Sequence, residues 1–381
     1  MTIRDILWGV KTRTLEQRLE ALEKSGVRII DPRQTYIGED VPLERVAEGV
    51  VLHPGVRLHG SKTRLGARAE VGTEGPATLM DTVMDEEARV ASGYVHGAVL
   101  LKKASLGANA HVRAGTLLEE EASTAHAVGL KQTLLLSFVT LGSLINFCDC
   151  LMTGGTSRSD HAEVGSGYIH FNFTPWGKHG DKATPSLIGS VPRGVFLRER
   201  RIFLGGTGGL VGPAEVGFGA VAGAGQVVRH GIAEGHLVLQ QTRPIDRAVE
   251  FGRLDAVMPR AEKNIRYIGH LHALRVWYDK VRLFQCPPHR KAVFEAALEL
   301  LDGCIEERCK QLGRFLEERG RVLPVISAVD PGPCPLPLAA DAVEDHIAWV
   351  RSLTEEQVMA GSQWLEGVVE GVSRPAISAL A

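Results

Sequence analysis

Between Leu210 and Val228, apolar side chains recur every six residues with small residues between them. Leu210, Val216, Ala222 and Val228 fall at this interval, and a glycine follows two of them. A six-residue period fits one short strand and one tight corner, and three such repeats close a triangular coil of about 18 residues. The apolar side chain points inward, while small residues fit the corners. The pattern predicts a parallel β-helix, a solenoid whose coils contact only their neighbours.

The same pattern returns in "VVLHPGVRLHG", "LGARAEVGTEG" and "SLGANAHVRAG", so we assign residues 35–245 to the β-helix. Leu106 and Val112 are again six residues apart in the last of these stretches. The period degrades at about 74–100 and 145–205. We expect loops or inserted residues in both places.

Both flanks of the repeat region change to helical periodicity. Residues 1–34 form a predicted linker helix that Gly26 ends, because Leu15, Leu19 and Leu22 share one helical face. Residues 246–381 form a predicted α-helical extension, with an interruption at Gly303 and a last helix near 341–371. We expect this extension to cap the end of the solenoid or to form an oligomer contact. The predicted fold class is mainly β, a β-helix with an N-terminal helix and a C-terminal α-helical domain.

Composition narrows the class of partner. The 381 residues carry a net charge of −2, which gives no overall basic field for nucleic acid or a membrane surface. The six cysteines form no CxxC pair, so we expect reduced thiols and no metal site. The chain shows no signal-type apolar segment at its start and no stretch of about 18 apolar residues. We expect a cytoplasmic protein that binds neither nucleic acid nor membrane.

The stretch "LEALEKSGVRIIDPRQTYIGEDV" resembles the entry into the acetyltransferase half of a bacterial enzyme family. That family is the bifunctional N-acetylglucosamine-1-phosphate uridylyltransferase / glucosamine-1-phosphate acetyltransferase. The resemblance covers about residues 15–245 and implies a left-handed β-helix, a homotrimer, and acetyl-coenzyme A or another acyl-coenzyme A as donor. The uridylyltransferase half needs a glycine-rich nucleotide loop. None precedes residue 35, so we expect no uridylyltransferase activity.

The resemblance places a phosphate-binding pair at Arg113 and Lys131. The family uses an Arg and a Lys 18 positions apart, and "HVRAGTLLEEEASTAHAVGLKQ" preserves that spacing. A phosphate dianion suits a forked guanidinium beside an ammonium group. Eighteen residues make one coil, so both side chains should stack on adjacent coils. Two solvated surface charges are the alternative. Asn172 in "SGYIHFNFTPWG" matches a sugar-contacting Asn, although Phe173 replaces the family's Tyr.

The general base of the family is missing. Ser143 stands where the resemblance predicts a His, and Asn146 stands where it predicts a Tyr. A serine hydroxyl alone is a poor base near pH 7. His170 is our preferred substitute, because it lies two residues before Asn172 and both should project to one face of an extended strand. His161 and His126 are the other candidates, and packing is the alternative role for each.

On the acyl-donor side, "AVAGAGQVV" resembles the family's last coil, where small residues admit the cofactor arm. Ala222 and Gly223 fill those places, and Arg243 in "LVLQQTRPIDR" matches an Arg that meets coenzyme A phosphates. A tight corner of the coil would by itself also require a glycine at position 223.

A basic stretch at 178–201 has no counterpart in the family. It suggests an anionic ligand, with a solvated charged face as the alternative. Its cations are Lys178, Lys182, Arg193, Arg198, Arg200 and Arg201.

Three functions remain open from the sequence. The first is a coenzyme A-dependent acyltransferase acting on an amino-sugar phosphate or sugar nucleotide. The second is a binding or scaffold protein that kept the sugar-phosphate site and lost catalysis. The third is metal-dependent hydration, as in γ-type carbonic anhydrases, but the well-formed coils lack the His pair that this chemistry needs.

Overall fold

The predicted parallel β-helix is confirmed. The computed structural model describes residues 13–173, 182–239, 257–339 and 342–380. Short parallel strands stack coil upon coil into a solenoid of about 11 turns, and eleven of them form the first face. The strands begin at Arg28 and end at Val238.

The strands form three faces, and two long strands bend from the second face to the third. The first face holds β1 (Arg28–Ile29), β3 (Val51–Leu52), β6 (Glu70–Val71), β9 (Arg89–Val90), β12 (Ser105–Leu106), β15 (Ser123–Thr124), β17 (Thr140–Leu141), β21 (Glu163–Val164), β24 (Phe203–Leu204), β27 (Val221–Ala222) and β29 (Leu237–Val238). The second face holds β2 (Tyr36–Ile37), β4 (Arg57–His59), β7 (Ala77–Met80), β10 (Gly93–His96), β13 (Ala110–Val112), β22 (Ile169–Phe171), β25 (Gly209–Val211), β28 (Val227–Val228) and the first halves of β16 (Gly129–Leu135) and β18 (Asn146–Met152). The third face holds the second halves of β16 and β18 with β5 (Arg64–Leu65), β8 (Val83–Met84), β11 (Ala98–Leu100), β14 (Thr116–Leu118), β23 (Ser186–Ile188) and β26 (Glu215–Val216).

The six-residue period builds the core as expected. Leu210, Val216, Ala222 and Val228 are all buried, and they lie on successive faces. Leu210 pairs directly with Val228, one full coil further along. Each apolar residue therefore packs on its equivalent in the next coil.

The expected loop at 74–100 does not occur. Strands β7 to β11 continue the coils there, with Ala77 paired with Gly93 and Val83 with Val99. Two of the corners are turned without glycine, since Asp81 and Glu87 adopt φ values of 46° and 56°, whereas Gly97 turns another with φ 58°. The coils therefore continue through 74–100, although the six-residue period of the sequence becomes irregular there.

The expected insertions at 145–205 are present. The antiparallel hairpin of β19 (Gly155–Ser157) and β20 (Asp160–His161) leaves the coil before β21. The short helix α2 (Val191–Gly194) interrupts the path from β23 to β24.

Helices flank the solenoid at both ends of the sequence. Helix α1 (Leu15–Lys24) precedes the first coil, and Gly26 follows it with φ 88°. The extension holds α3 (Val257–Trp277), α4 (Lys291–Glu317), α5 (His346–Ser352) and α6 (Glu355–Leu380). A π-helical segment, Tyr278–Arg282, continues α3, and 3-10 turns occupy Pro32–Gln34, Leu43–Arg45 and Pro288–Arg290. Helix α4 runs unbroken through Gly303, and the last predicted helix is two helices, so both of those expectations were wrong in detail.

The extension covers the third face and does not cap the solenoid end. One outward apolar residue from each central coil lines this face, each paired with the next. These residues are Val83, Val99, Leu117, Leu134, Leu151 and Leu187, and all are buried against side chains of α3 to α6. Within the described ranges, helices α3 to α6 form no apolar cluster with strands of the first or second face.

Buried charge pairs fix the helices to the coils. Arg282 Nη1 donates to Glu120 Oε2 at 3.2 Å, and Arg290 Nε donates to Asp85 Oδ2 at 2.9 Å. Burial acts to raise the pKa of Glu120, but Arg282 and other nearby cationic groups outweigh it and hold the value at about 2. These pairs join residues more than 150 positions apart in sequence.

No helix in the described part of the chain is long and apolar enough to cross a membrane.

Removing one partner of the buried pair should loosen the extension. Arg282→Ala leaves Glu120 buried without its main counter-charge, and we expect a loss of about 3–5 kcal/mol in the free energy of unfolding. Lys291→Ala is the control, because its ion pair with Glu295 is exposed and should contribute under about 0.5 kcal/mol. Urea denaturation followed by circular dichroism measures both. An equal effect of the two substitutions would contradict this account.

Candidate functional site

Coil geometry brings Arg113 and Lys131 onto one edge of the solenoid. Val112 pairs with Leu130, so the residues that follow them, Arg113 and Lys131, are adjacent. The Arg113 backbone N–H also donates to the Leu130 carbonyl at 2.9 Å. Lys131 pairs in turn with Cys148. The three side chains form a column at the corner between the second and third faces.

The two cations lack acidic partners. Within the described residues, no carboxylate lies within ion-pairing distance of Arg113 or Lys131. Arg113 Nη2 instead donates to Cys148 Sγ at 3.7 Å, in the coil beyond that of Lys131. Burial and Asp149 raise the pKa of the Cys148 thiol, while the two cations act in the opposite direction. This edge presents net positive charge to any ligand.

Asn172 lies on the same edge, one row beyond Cys148. Its Nδ2 donates to Asp149 Oδ2 at 3.0 Å. Asp149 is buried and forms a second contact at 3.0 Å with Arg308 of α4. The side chain of Asn172 is therefore held by a carboxylate that the helical extension stabilises.

His170 points into the solenoid. It is 2% exposed, and its two ring nitrogens contact the Cys148 carbonyl at 2.5 Å and Ser186 Oγ at 2.7 Å. Burial lowers its pKa to about 4. Its neighbours Ile169 and Phe171 are the exposed residues of β22. The geometry does not favour His170 as a base, because strand alternation points it inward, away from the cation pair, while Asn172 lies beyond the end of β22.

The other predicted bases also lie away from the cation pair. His161 is in the hairpin over the first face, with Nδ1 at 2.8 Å from the Arg158 carbonyl and Nε2 at 3.6 Å from Glu163. His126 is exposed at the corner between the first and second faces. None of them shares the edge of Arg113.

Two imidazoles that sequence reasoning did not select flank Arg113. His111 precedes it by two residues, and both are exposed on either side of buried Val112. His96 ends β10 in the preceding coil, where Val95 pairs with Val112. The signal was present in "HVR", since alternation about an inward valine places both neighbours outward.

Comparison with known proteins supports the resemblance over the solenoid. No protein-family model matches the chain. GlmU of Fervidobacterium nodosum is 28% identical over 236 residues, covering 62% of this chain and 46% of that protein. GlmU of Pseudarthrobacter chlorophenolicus is 31% identical over 221 residues, covering 58% and 39%.

The chain is similar to the bifunctional GlmU proteins. It spans less than half the length of these relatives, and the match falls in their C-terminal half. Together with the β-solenoid, this confirms the resemblance to the acetyltransferase half.

Ser143, which stands where the resemblance to GlmU predicts the base, pairs with a second serine. Ser143 Oγ contacts Ser166 Oγ at 3.0 Å, at the corner between the first and second faces. Asn146 opens β18 and is exposed on the second face, where its Oδ1 lies 3.7 Å from Cys148 Sγ. Ser143 therefore supplies no imidazole, while Asn146 joins the outward surface beside the cations.

The residues proposed for the acyl donor lie in the last complete coils. Ala222 is fully buried and points inward, so the surface of this coil lies at Gly223, the residue that follows it. A Cβ added at Gly223 would meet the tip of Leu239 at 2.3 Å and nothing else within 3.7 Å. At Gly205, by contrast, a Cβ would strike the Ala224 backbone nitrogen at 2.4 Å. Corner packing thus requires Gly205, whereas at Gly223 the tip of the exposed Leu239 side chain occupies the place of a Cβ. Arg243 lies outside the described residues.

The basic stretch at 178–201 is largely committed to partners within the chain. Arg193 pairs with Glu199 and Glu234 at 2.8 and 2.9 Å, and Arg198 donates to carbonyls at the end of α5. Arg201 lies 3.6 Å from Asp160. These three arginines therefore form no unpaired cluster that could bind the expected anionic ligand. Lys178 lies outside the described residues. Within the described ranges no group of three or more His, Cys, Asp or Glu side chains is placed to hold a metal ion.

The buried His170 should make folding sensitive to acid. The unfolded chain takes up a proton on this residue near pH 6.5, whereas the folded chain does so only near pH 4. Stability is therefore lost as pH falls through this window. We expect His170→Asn to lose about 2 kcal/mol less than the parent between pH 7 and pH 5. Denaturant unfolding at the two pH values measures this. His126→Asn should behave like the parent, and equal losses in all three proteins would refute it.

Proposed function

We propose that this protein transfers an acyl group from a coenzyme A thioester to the amine of an amino-sugar phosphate or sugar nucleotide. The observation that carries the proposal is the pair Arg113 and Lys131, stacked on adjacent coils without acidic partners in the described chain. The similarity to GlmU over the solenoid supports it.

The cation pair suits the phosphate of the acceptor. A guanidinium donates two parallel hydrogen bonds to phosphate oxygens, and an ammonium adds a point charge. Since Asn172 lies at this edge and Asn146 lies beside it on the second face, amide groups are available for sugar hydroxyls. Arg113 and Lys131 bind the phosphate in this proposal, and Asn172 contacts the sugar.

The acyl donor is acetyl-coenzyme A or another acyl-coenzyme A. Its arm would lie against the coil at Ala222 and Gly223, where it would displace the exposed side chain of Leu239. Arg243 would meet its phosphates. The chemistry needs removal of a proton from the amine and stabilisation of a tetrahedral oxyanion.

A homotrimer is the assembly that the resemblance implies, and the helices restrict how it can form. Because α3 to α6 cover the third face, contacts between copies would use the first and second faces. The second face carries Arg113 and Lys131, so the site would lie close to such a contact.

A second candidate is a sugar-phosphate or sugar-nucleotide binding protein without catalysis. Ser143 in place of the family's base and the inward orientation of His170 favour it. The two candidates agree on the phosphate site and differ on acyl-coenzyme A.

Calorimetry with glucosamine-1-phosphate tests the phosphate site. We expect Arg113→Ala to weaken binding roughly 10- to 100-fold, because a hydrogen bond to a charged group contributes about 1.5–3 kcal/mol. Arg57→Ala is the matched control, since Arg57 is an exposed cation on the same face, three coils from Arg113. Unchanged binding in Arg113→Ala would remove the basis of the proposal.

Acetyl-coenzyme A binding and thiol release separate the two candidates. The acyltransferase proposal predicts release of free thiol that depends on the amino-sugar phosphate, and the release should fall in Arg113→Ala. Sugar-phosphate binding without affinity for acetyl-coenzyme A would favour the binding protein instead.

A further inference from the structure

We infer that a notch over Gly129 receives the acceptor amine and that His111 takes its proton. This inference rests on the proposed acyl transfer. It assigns the base to a residue outside the position where the GlmU resemblance predicts one.

The notch follows from strand pairing on the second face. His111 pairs with Gly129, and Gly129 pairs with Asn146. A Cβ added at Gly129 would meet nothing nearer than Asn146 Oδ1 at 3.3 Å. The missing side chain therefore leaves an open floor between His111 and Asn146. Lys131, two residues along the strand, closes one side.

The dimensions suit a single sugar ring. Neighbouring strands lie about 4.8 Å apart, so the Cα atoms of His111 and Asn146 are separated by about 10 Å. Arg113 lies about 7 Å from His111 along the strand. An amino sugar whose phosphate contacts Arg113 and Lys131 would extend over Gly129, with its amine toward His111.

Among the described residues, a single ring contact holds His111, and it comes from one side. Tyr94 stacks on it with centroids 5.6 Å apart and an interplanar angle of 27°. Tyr94 lies in the preceding coil, on the side away from Gly129. The stack orients the imidazole and leaves its other side to the notch. His96 lies across Arg113 from Lys131, so it does not border this floor.

The chemical step balances with the acyl thioester as the second substrate. The amine nitrogen attacks the thioester carbonyl carbon, forming a C–N bond as the C–S bond breaks. His111 accepts the proton that the amine loses, and the departing thiolate takes up a proton to become the free thiol. Imidazole suits this role because its proton affinity lies near neutral pH. The charged or titratable groups that face His111 are Tyr94 and His96 of β10, Arg113, Lys131 of β16 and Cys148 of β18.

Thiol release by His111→Asn, across a range of pH, tests the inference. We expect kcat to fall about 10²- to 10⁴-fold, with little change in KM for the sugar phosphate. The acidic limb of the kcat/KM profile should disappear, which a merely structural role would not produce. His59→Asn is the matched control, because His59 packs on Tyr36 at 5.1 Å on the same face but far from Arg113. It should retain the parent rate and profile.

The outcomes separate this inference from the proposed function. A parent protein that binds both ligands but releases no thiol would overturn both. Full activity and an unchanged pH profile in His111→Asn would overturn the role of His111 alone. Loss of the acidic limb in His96→Asn, with His111→Asn unaffected, would also overturn it and move the base to the other side of Arg113.

Discussion

The architecture depends on covering one apolar column on the third face of the solenoid. Six outward residues, one per coil, stack in direct register between Arg64 at one end and Glu215 at the other. Burying them contributes on the order of 10 kcal/mol, at about 1.5–3 kcal/mol for each side chain. A solenoid that left this face in water would lose that contribution. The helical extension is therefore part of the same folded unit, and its place beside the coils is set by this column.

Covering the third face also links the helices to the candidate site. Acidic residues at the edges of the column, including Glu120 and Asp149, meet arginines from the extension in buried pairs. Asp149 in turn accepts a hydrogen bond from Asn172 at the edge that carries Arg113 and Lys131. A contact that stabilises the fold thus orients a residue of the site. Such pairs make the position of each helix on the coils specific, because a misplaced helix would leave a charge buried and unpaired.

Several details of the structure were not predicted from the sequence, for identifiable reasons. The coils at 74–100 were not predicted, because corner residues such as Asp81 adopt a positive φ although they are not glycines. His170 was predicted to share one strand face with Asn172, but β22 ends at Phe171 before Asn172, and His170 lies on the buried side with Tyr168. The same alternation rule, applied to Val112, would have found His111. The third-face column could also have been found, because adjacent apolar residues in "TLL" indicate a strand buried on both sides.

The sequence alone determined the β-helix and the stacking of Arg113 and Lys131. Both follow from coil length, which is a local property: each six-residue repeat forms one strand and one corner, and 18 residues return the chain to the same edge. Tertiary structure alone decided which arginines are already paired and which carboxylates of the coils the helical extension buries. Those outcomes depend on contacts such as Glu120 with Arg282, which are 162 residues apart and leave no periodic signal in the chain.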